Sequence, residues 1–149
     1  MRRFAVGGVA ALVAAGFVAF AQAEPGTQSV LTAYSGQGTG HVLISPTAKD
    51  KPNFAVQVEV NVHGMLPSST FTVERKIDQP ADGACPGSTV PTDWVPNGPI
   101  TTSKGGAGAE HFFVERVAPF VSGYRFDVVF HVIGPGTELR SNCMTVTVK

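Results

Sequence analysis

Charge is the first thing this sequence is short of. Aspartate, glutamate, lysine and arginine make up 15% of its 149 residues, against about 25% in an ordinary domain. So few charges, with 43% apolar residues, exclude the highly charged, weakly apolar composition of intrinsic disorder. Cysteine is limited to two residues and tryptophan to one. Two cysteines cannot staple a disulfide-dense miniprotein or make a four-thiolate zinc site. No stretch carries a convincing helical stripe, which excludes a helix bundle. There is also no basic block of the kind that follows nucleic acid or an anionic membrane surface.

What is present begins with the features of an export signal. Arg2 and Arg3 precede an uncharged, mostly apolar run from Phe4 to Ala21, and Ala21-Gln22-Ala23 is a small-x-small cleavage site. The run is shorter than the ~20 residues of a comfortable bilayer span and is rich in Ala and Gly. We therefore expect residues 1–23 to be a signal peptide and 24–149 to be one mature domain. That domain would be exported to a periplasm or outside the cell, with no membrane insertion after cleavage. Its nine basic and eleven acidic residues give a net charge of −2.

Alternation with a period of two dominates from Ser29 onward. The clearest strand is predicted over Phe54–Val62, with Phe54, Val56, Val58, Val60 and Val62 on one face and Gln57, Glu59 and Asn61 on the other. Further strands are expected at Ser29–Tyr34, Gly40–Ser45, Thr70–Ile77, Glu110–Val117, Tyr124–Ile133 and Cys143–Val148, with turn-forming clusters between them. The fold class this implies is all-β: an antiparallel β-sandwich of seven or eight strands, immunoglobulin-like in the broad sense.

One connection departs from the short-loop pattern. Residues 78–109 contain five prolines and only a possible short strand near Pro99–Thr102. Connections this long are often functional. The segment holds the only tryptophan, Trp94, and one cysteine. With an even cysteine count in an exported chain, a Cys85–Cys143 disulfide is expected. Strand parity puts Cys143 with Thr145 and Thr147 on the outer face, so the bridge would tie the long loop to that face.

The stretch Val56-Gln57-Val58-Glu59-Val60-Asn61-Val62-His63-Gly64-Met65-Leu66-Pro67-Ser68-Ser69-Thr70-Phe71-Thr72-Val73 resembles the strand, G-L-x-P-x-T turn and following strand of fibronectin type III modules. It is also similar to the corresponding element of Cu,Zn superoxide dismutase-like and chordin-type sandwiches. The resemblance covers about 18 residues and implies a β-sandwich. Phe71 stands where the fibronectin module prefers Tyr. The dismutase H-x-H copper pair is missing, because Thr70–Ile77 contains no histidine, so copper chemistry is not implied.

Candidate sites are few. Gly36-Gln37-Gly38-Thr39-Gly40 and Gly105-Gly106-Ala107-Gly108 are glycine-rich, but strand-like sequence follows both, whereas a phosphate loop opens a helix. No G-x-S-x-G elbow is present, so a hydrolase would need dispersed residues. A hairpin of Glu110–Val117 with Tyr124–Ile133, in the register that pairs Phe112 with Phe130, sets His111 opposite His131. Their Cβ atoms would then be about 5 Å apart, close enough to share a metal ion. The same outer face carries Phe113, Val117, Val129 and Ile133, so it needs a cover: the long loop, the rest of the sandwich or a partner.

The leading expectation is a non-enzymatic module that binds a protein, glycan or small ligand through the 78–109 loop. Trp94, Asp93 and Asn97 are the candidate contacts, with no cofactor and no nucleic acid. A metal-binding protein using His111 and His131 is the alternative, and a hydrolase with dispersed residues the third.

Overall fold

Val56, Val58, Val60 and Val62 are buried, while Gln57, Glu59 and Asn61 between them are only half-buried. A pleated strand sends successive side chains to opposite faces, and burial of the apolar row drives the strand into a sheet. The structure, a computed structural model, describes residues 27–47, 51–85 and 94–149. The expected signal peptide and Asp93 lie outside the described residues.

Nine strands are found among the described residues: β1 (Thr27–Ser35), β2 (Thr39–Pro46), β3 (Phe54–His63), β4 (Thr70–Asp78), β5 (Val95–Thr101), β6 (Gly108–Glu115), β7 (Arg125–Gly134), β8 (Thr137–Ser141) and β9 (Met144–Thr147). Every ladder between them is antiparallel. The order is β5-β4-β7-β8-β1-β2-β3-β6, with β9 also paired to β7. The all-β antiparallel class read from the alternation is therefore what the chain adopts. Its hydrogen bonding runs on from one layer to the other, and the sheet curls nearly shut like a barrel. The two ends meet along β5 and β6, where a Cβ on Gly98 would lie 2.8 Å from the Phe112 ring.

Turns hold this seam at one end. Ser103 N–H donates to Ala107 O at 2.8 Å and Met65 N–H to Gly106 O at 3.1 Å. Gly106 has φ +75°, and a Cβ there would fall 2.4 Å from Met65 O, so only glycine suits this approach. The buried Thr102 hydroxyl donates to Leu66 O at 2.7 Å and accepts from Ser69 N–H at 3.0 Å. The turn after β3 and the turn after β5 are thereby locked together.

Strands β8 and β9 run along the same edge of β7 and are separated by a one-residue slip. His131 pairs with Arg140, whereas Val128 pairs with Met144, so the ladder carries one extra residue at Asn142–Cys143, as a bulge does. The parity beyond it is the expected one: Met144, Val146 and Val148 are buried in the core. Cys143 sits on the other face and is bridged to Cys85, with Cα atoms 5.4 Å apart.

Three expectations are corrected. Residues 78–109 are not one loop, because Val95–Thr101 forms β5 and pairs with β4. Phe54 does not share the valine face. A register shift between Phe54 and Val56 buries both Ala55 and Val56 and turns Phe54 outward onto Phe113, with centroids 5.0 Å apart. Finally, β6 and β7 are not a hairpin: β6 pairs with β3 and β7 with β4. The link between them, residues 116–124, contains Pro119 and makes two tight turns, Phe120 N–H to Val117 O and Tyr124 N–H to Val121 O. It is long enough to carry the chain across the mouth of the barrel. Among the described residues, no helix is long and apolar enough to cross a membrane.

Candidate functional site

The outer face of β7 is covered. Its middle residues Asp127 and His131 are buried, which marks a central strand packed on both sides. Gly83 N–H donates to Asp127 Oδ2 at 2.6 Å, and Thr145 Oγ1 donates to Oδ1 at 2.5 Å. The segment after β4 therefore lies across β7, pinned by this carboxylate and by the Cys85–Cys143 bridge. Just beyond, the half-buried Trp94 lies flat on the His131 ring, with centroids 3.8 Å apart and planes inclined by 7°.

His131 is boxed in by neighbours on both adjacent strands. Its Nε2 is 2.5 Å from Glu74 Oε2 on β4, and its Nδ1 is 3.4 Å from Glu138 Oε1 on β8. Glu138 in turn accepts a hydrogen bond from Arg140 Nε at 2.5 Å, and the Arg140 guanidinium stacks over Tyr34 on β1 at 3.6 Å. The Arg140 hydrogen bond, aided by the His131 ring, holds the Glu138 carboxyl below its ordinary value. Both imidazole nitrogens thus face carboxylates, Nε2 within hydrogen-bond distance and Nδ1 buried without a hydrogen bond.

The expected His111–His131 pair does not form. His111 stands opposite Glu59 on β3, with Nε2 3.4 Å from Glu59 Oε2, and His131 stands opposite Glu74 and Arg140. The two imidazoles belong to strands that share no ladder, because the assumed hairpin is replaced by a crossover. A shared metal site loses its geometric basis. No group of three or more His, Cys, Asp or Glu side chains suited to a metal ion occurs among the described residues.

The other predicted contacts separate. Trp94 packs one ring face against the outer surface of β7, whereas Asn97 serves the opposite side of β5. There its Oδ1 accepts a hydrogen bond from Arg75 Nη1 at 3.1 Å. Arg75 is the residue that sequence reasoning missed. On β4 the inward positions run Phe71, Val73, Arg75, Ile77, the first two fully buried. Arg75 therefore points its stem toward the core beside Phe130, its partner across the ladder. The signal was visible as one cation within an alternating apolar row.

Arg75 sits where the seam between β5 and β6 opens. A cleft of about 430 Å³ there is lined by Arg75, Ile77, Gln79, Val95, Pro119, Phe120 and Tyr124. A second groove, of about 640 Å³, runs along β6 past Asn97, Phe112 and Phe113 and shares Arg75 and Phe120 with the first. The aromatic wall is stiffened by edge contacts of Phe120 with Tyr124 and Phe126, at 5.8 and 5.3 Å between centroids. The Arg75 Nε is buried without a hydrogen-bond partner. No carboxylate among the described residues forms an ion pair with Arg75. Burial pushes its guanidinium below the ordinary value, yet arginine remains a cation at any physiological pH. The result is a cleft whose described lining is mostly apolar and includes one permanent positive charge.

No family model, curated protein or solved structure matches this chain.

Proposed function

We propose that the mature chain is an exported binding protein and that its site is the Arg75 cleft between β5 and the 116–124 link. The observation that carries this reading is the cleft itself: about 430 Å³ walled by Ile77, Val95, Pro119, Phe120 and Tyr124. Small-ligand sites are concave, mostly apolar and furnished with a few polar groups. Val95, on the cleft wall, is 43% exposed. Such surface stays exposed at a cost unless something covers it. Val95, Asn97 and Gln79 all belong to the 78–109 segment, so the reading keeps the binding role expected of that segment. It moves the contacts from Trp94 to the opposite side of β5. Export rests on the signal-like N-terminus and on the disulfide, which persists in oxidising compartments.

The test is a neutral apolar fluorophore, N-phenyl-1-naphthylamine, titrated into the mature protein. We expect saturable fluorescence enhancement at one equivalent. Val95→Trp, which fills the cleft from an exposed edge-strand position, should abolish it while leaving the far-UV circular dichroism unchanged. Enhancement that survives Val95→Trp would place the dye elsewhere and remove the case for this cleft.

A further inference from the structure

Resting on that reading, we propose that the ligand of the cleft is an amphipathic carboxylate, whose head meets the Arg75 guanidinium and whose aliphatic tail lies along Val95, Pro119, Phe120 and Tyr124. The first reason is the state of Arg75. One of its N–H groups goes to the neutral amide oxygen of Asn97, and its Nε–H, shielded from solvent, finds no acceptor among the described residues. Arg75 as a whole is half-buried, and no carboxylate among the described residues pairs with it, so an anion seated in the cleft that Arg75 lines would supply its counter-charge. Arginine presents parallel N–H groups in a planar fork, the spacing of a carboxylate's two oxygens, so such a head would be held in two places at once.

The second reason is the contrast within the site. Arg75 supplies the positive charge, and the other described lining residues offer mainly aliphatic and aromatic carbon, with Gln79 and Tyr124 carrying the remaining polar side-chain groups among them. A small hydrophilic anion would leave these walls wet, and a neutral hydrocarbon would leave Arg75 uncompensated. A molecule with one anionic end and an apolar remainder satisfies both. Asn97 then acts as a positioning residue that fixes the plane of the guanidinium.

The probes are three molecules with one tail: decanoate, decanol and decyltrimethylammonium, titrated by calorimetry below their aggregation concentrations. We expect decanoate to bind about ten- to hundredfold more tightly than decanol, the range of a charge-assisted hydrogen-bonded pair, and the cation to show no binding. In Arg75→Met, decanoate should fall to the affinity of decanol or below. Decanol binding as tightly as decanoate in the wild-type protein would overturn the carboxylate assignment. So would decanoate affinity that survives Arg75→Met. Should Arg75→Met fail to fold, the head-group ranking on the wild-type protein decides alone. Fluorophore binding without head-group preference sinks only this assignment, whereas a protein that takes up neither fluorophore nor decanoate sinks the cleft reading with it.

Discussion

The indole of Trp94 rests on the imidazole of His131 at 3.8 Å, almost parallel to it. Trp94 is the last residue before β5, and His131 lies in the middle of β7, two strands away with β4 between them. The stack therefore fixes where the chain returns to the sheet, and Val95 on the cleft wall follows directly. Stacked aromatic pairs contribute about 0.5–1.5 kcal/mol beyond the area they bury. In a double-mutant cycle by urea unfolding, Trp94→Ala and His131→Ala should be coupled by about that amount. Strict additivity would show that the stack is contact without energy. Trp94→Ala should also weaken fluorophore uptake in the cleft, because the start of β5 loses its anchor.

How far the sequence disclosed this arrangement can be followed strand by strand. Seven of the nine strands among the described residues were legible because their apolar residues recur at every second position and turn to the core, as Val56 to Val62 do in β3. Strand β8 was not, because Thr137–Ser141 is short and carries Glu138 and Arg140 outward within a polar stretch. Strand β5 was read only at its end, near Pro99–Thr102, because Pro96, Gly98 and Pro99, residues at home on an edge strand, read as loop in isolation. The His111–His131 pairing failed for a topological reason: adjacency in the chain was taken for adjacency in the sheet, and the 116–124 link crosses instead. Trp94 was flagged by its rarity. Arg75 carried the clearer physical signal, a charge in step with Phe71 and Val73, and parity applied to that row would have placed it at the core.

The Cys85–Cys143 bridge closes a long loop and holds the segment that supplies Gly83 N–H to the buried Asp127. Intact-mass measurement with an alkylating agent should detect two thiols only after reduction. Reduction should lower the unfolding free energy by up to about 4 kcal/mol, the loop-entropy expectation for this separation. Amide exchange at Gly83 should accelerate with it, since the segment is then held by hydrogen bonds alone. Two thiols alkylated in the unreduced folded protein would remove the bridge from the account. A reduced protein of unchanged stability would mean that Asp127 and the Trp94 stack hold the segment without it.

Glu138 should make the protein acid-sensitive in a defined window. Its carboxylate accepts from Arg140 Nε and faces His131 Nδ1, and the Arg140 hydrogen bond is the largest reason that its folded-state value lies below the ordinary one. A carboxyl that is a stronger acid when folded stabilises the native state wherever it is ionised in both states. That contribution is complete above the unfolded value of about 4.3 and is lost as pH falls through the lower folded value. Glu138→Gln keeps the shape and removes the charge, so the melting temperature of the variant should be lower than wild type at pH 6. The gap should narrow steadily below about pH 4 and close once Glu138 is protonated in the folded protein. High salt should shrink the gap at pH 6 as well, because Arg140 is 43% exposed and its charge is screened there. A gap independent of pH between 2.5 and 6 would mean that Glu138 contributes through packing alone. In that case the contacts joining Tyr34, Arg140, Glu138 and His131 would not act as an electrostatic unit.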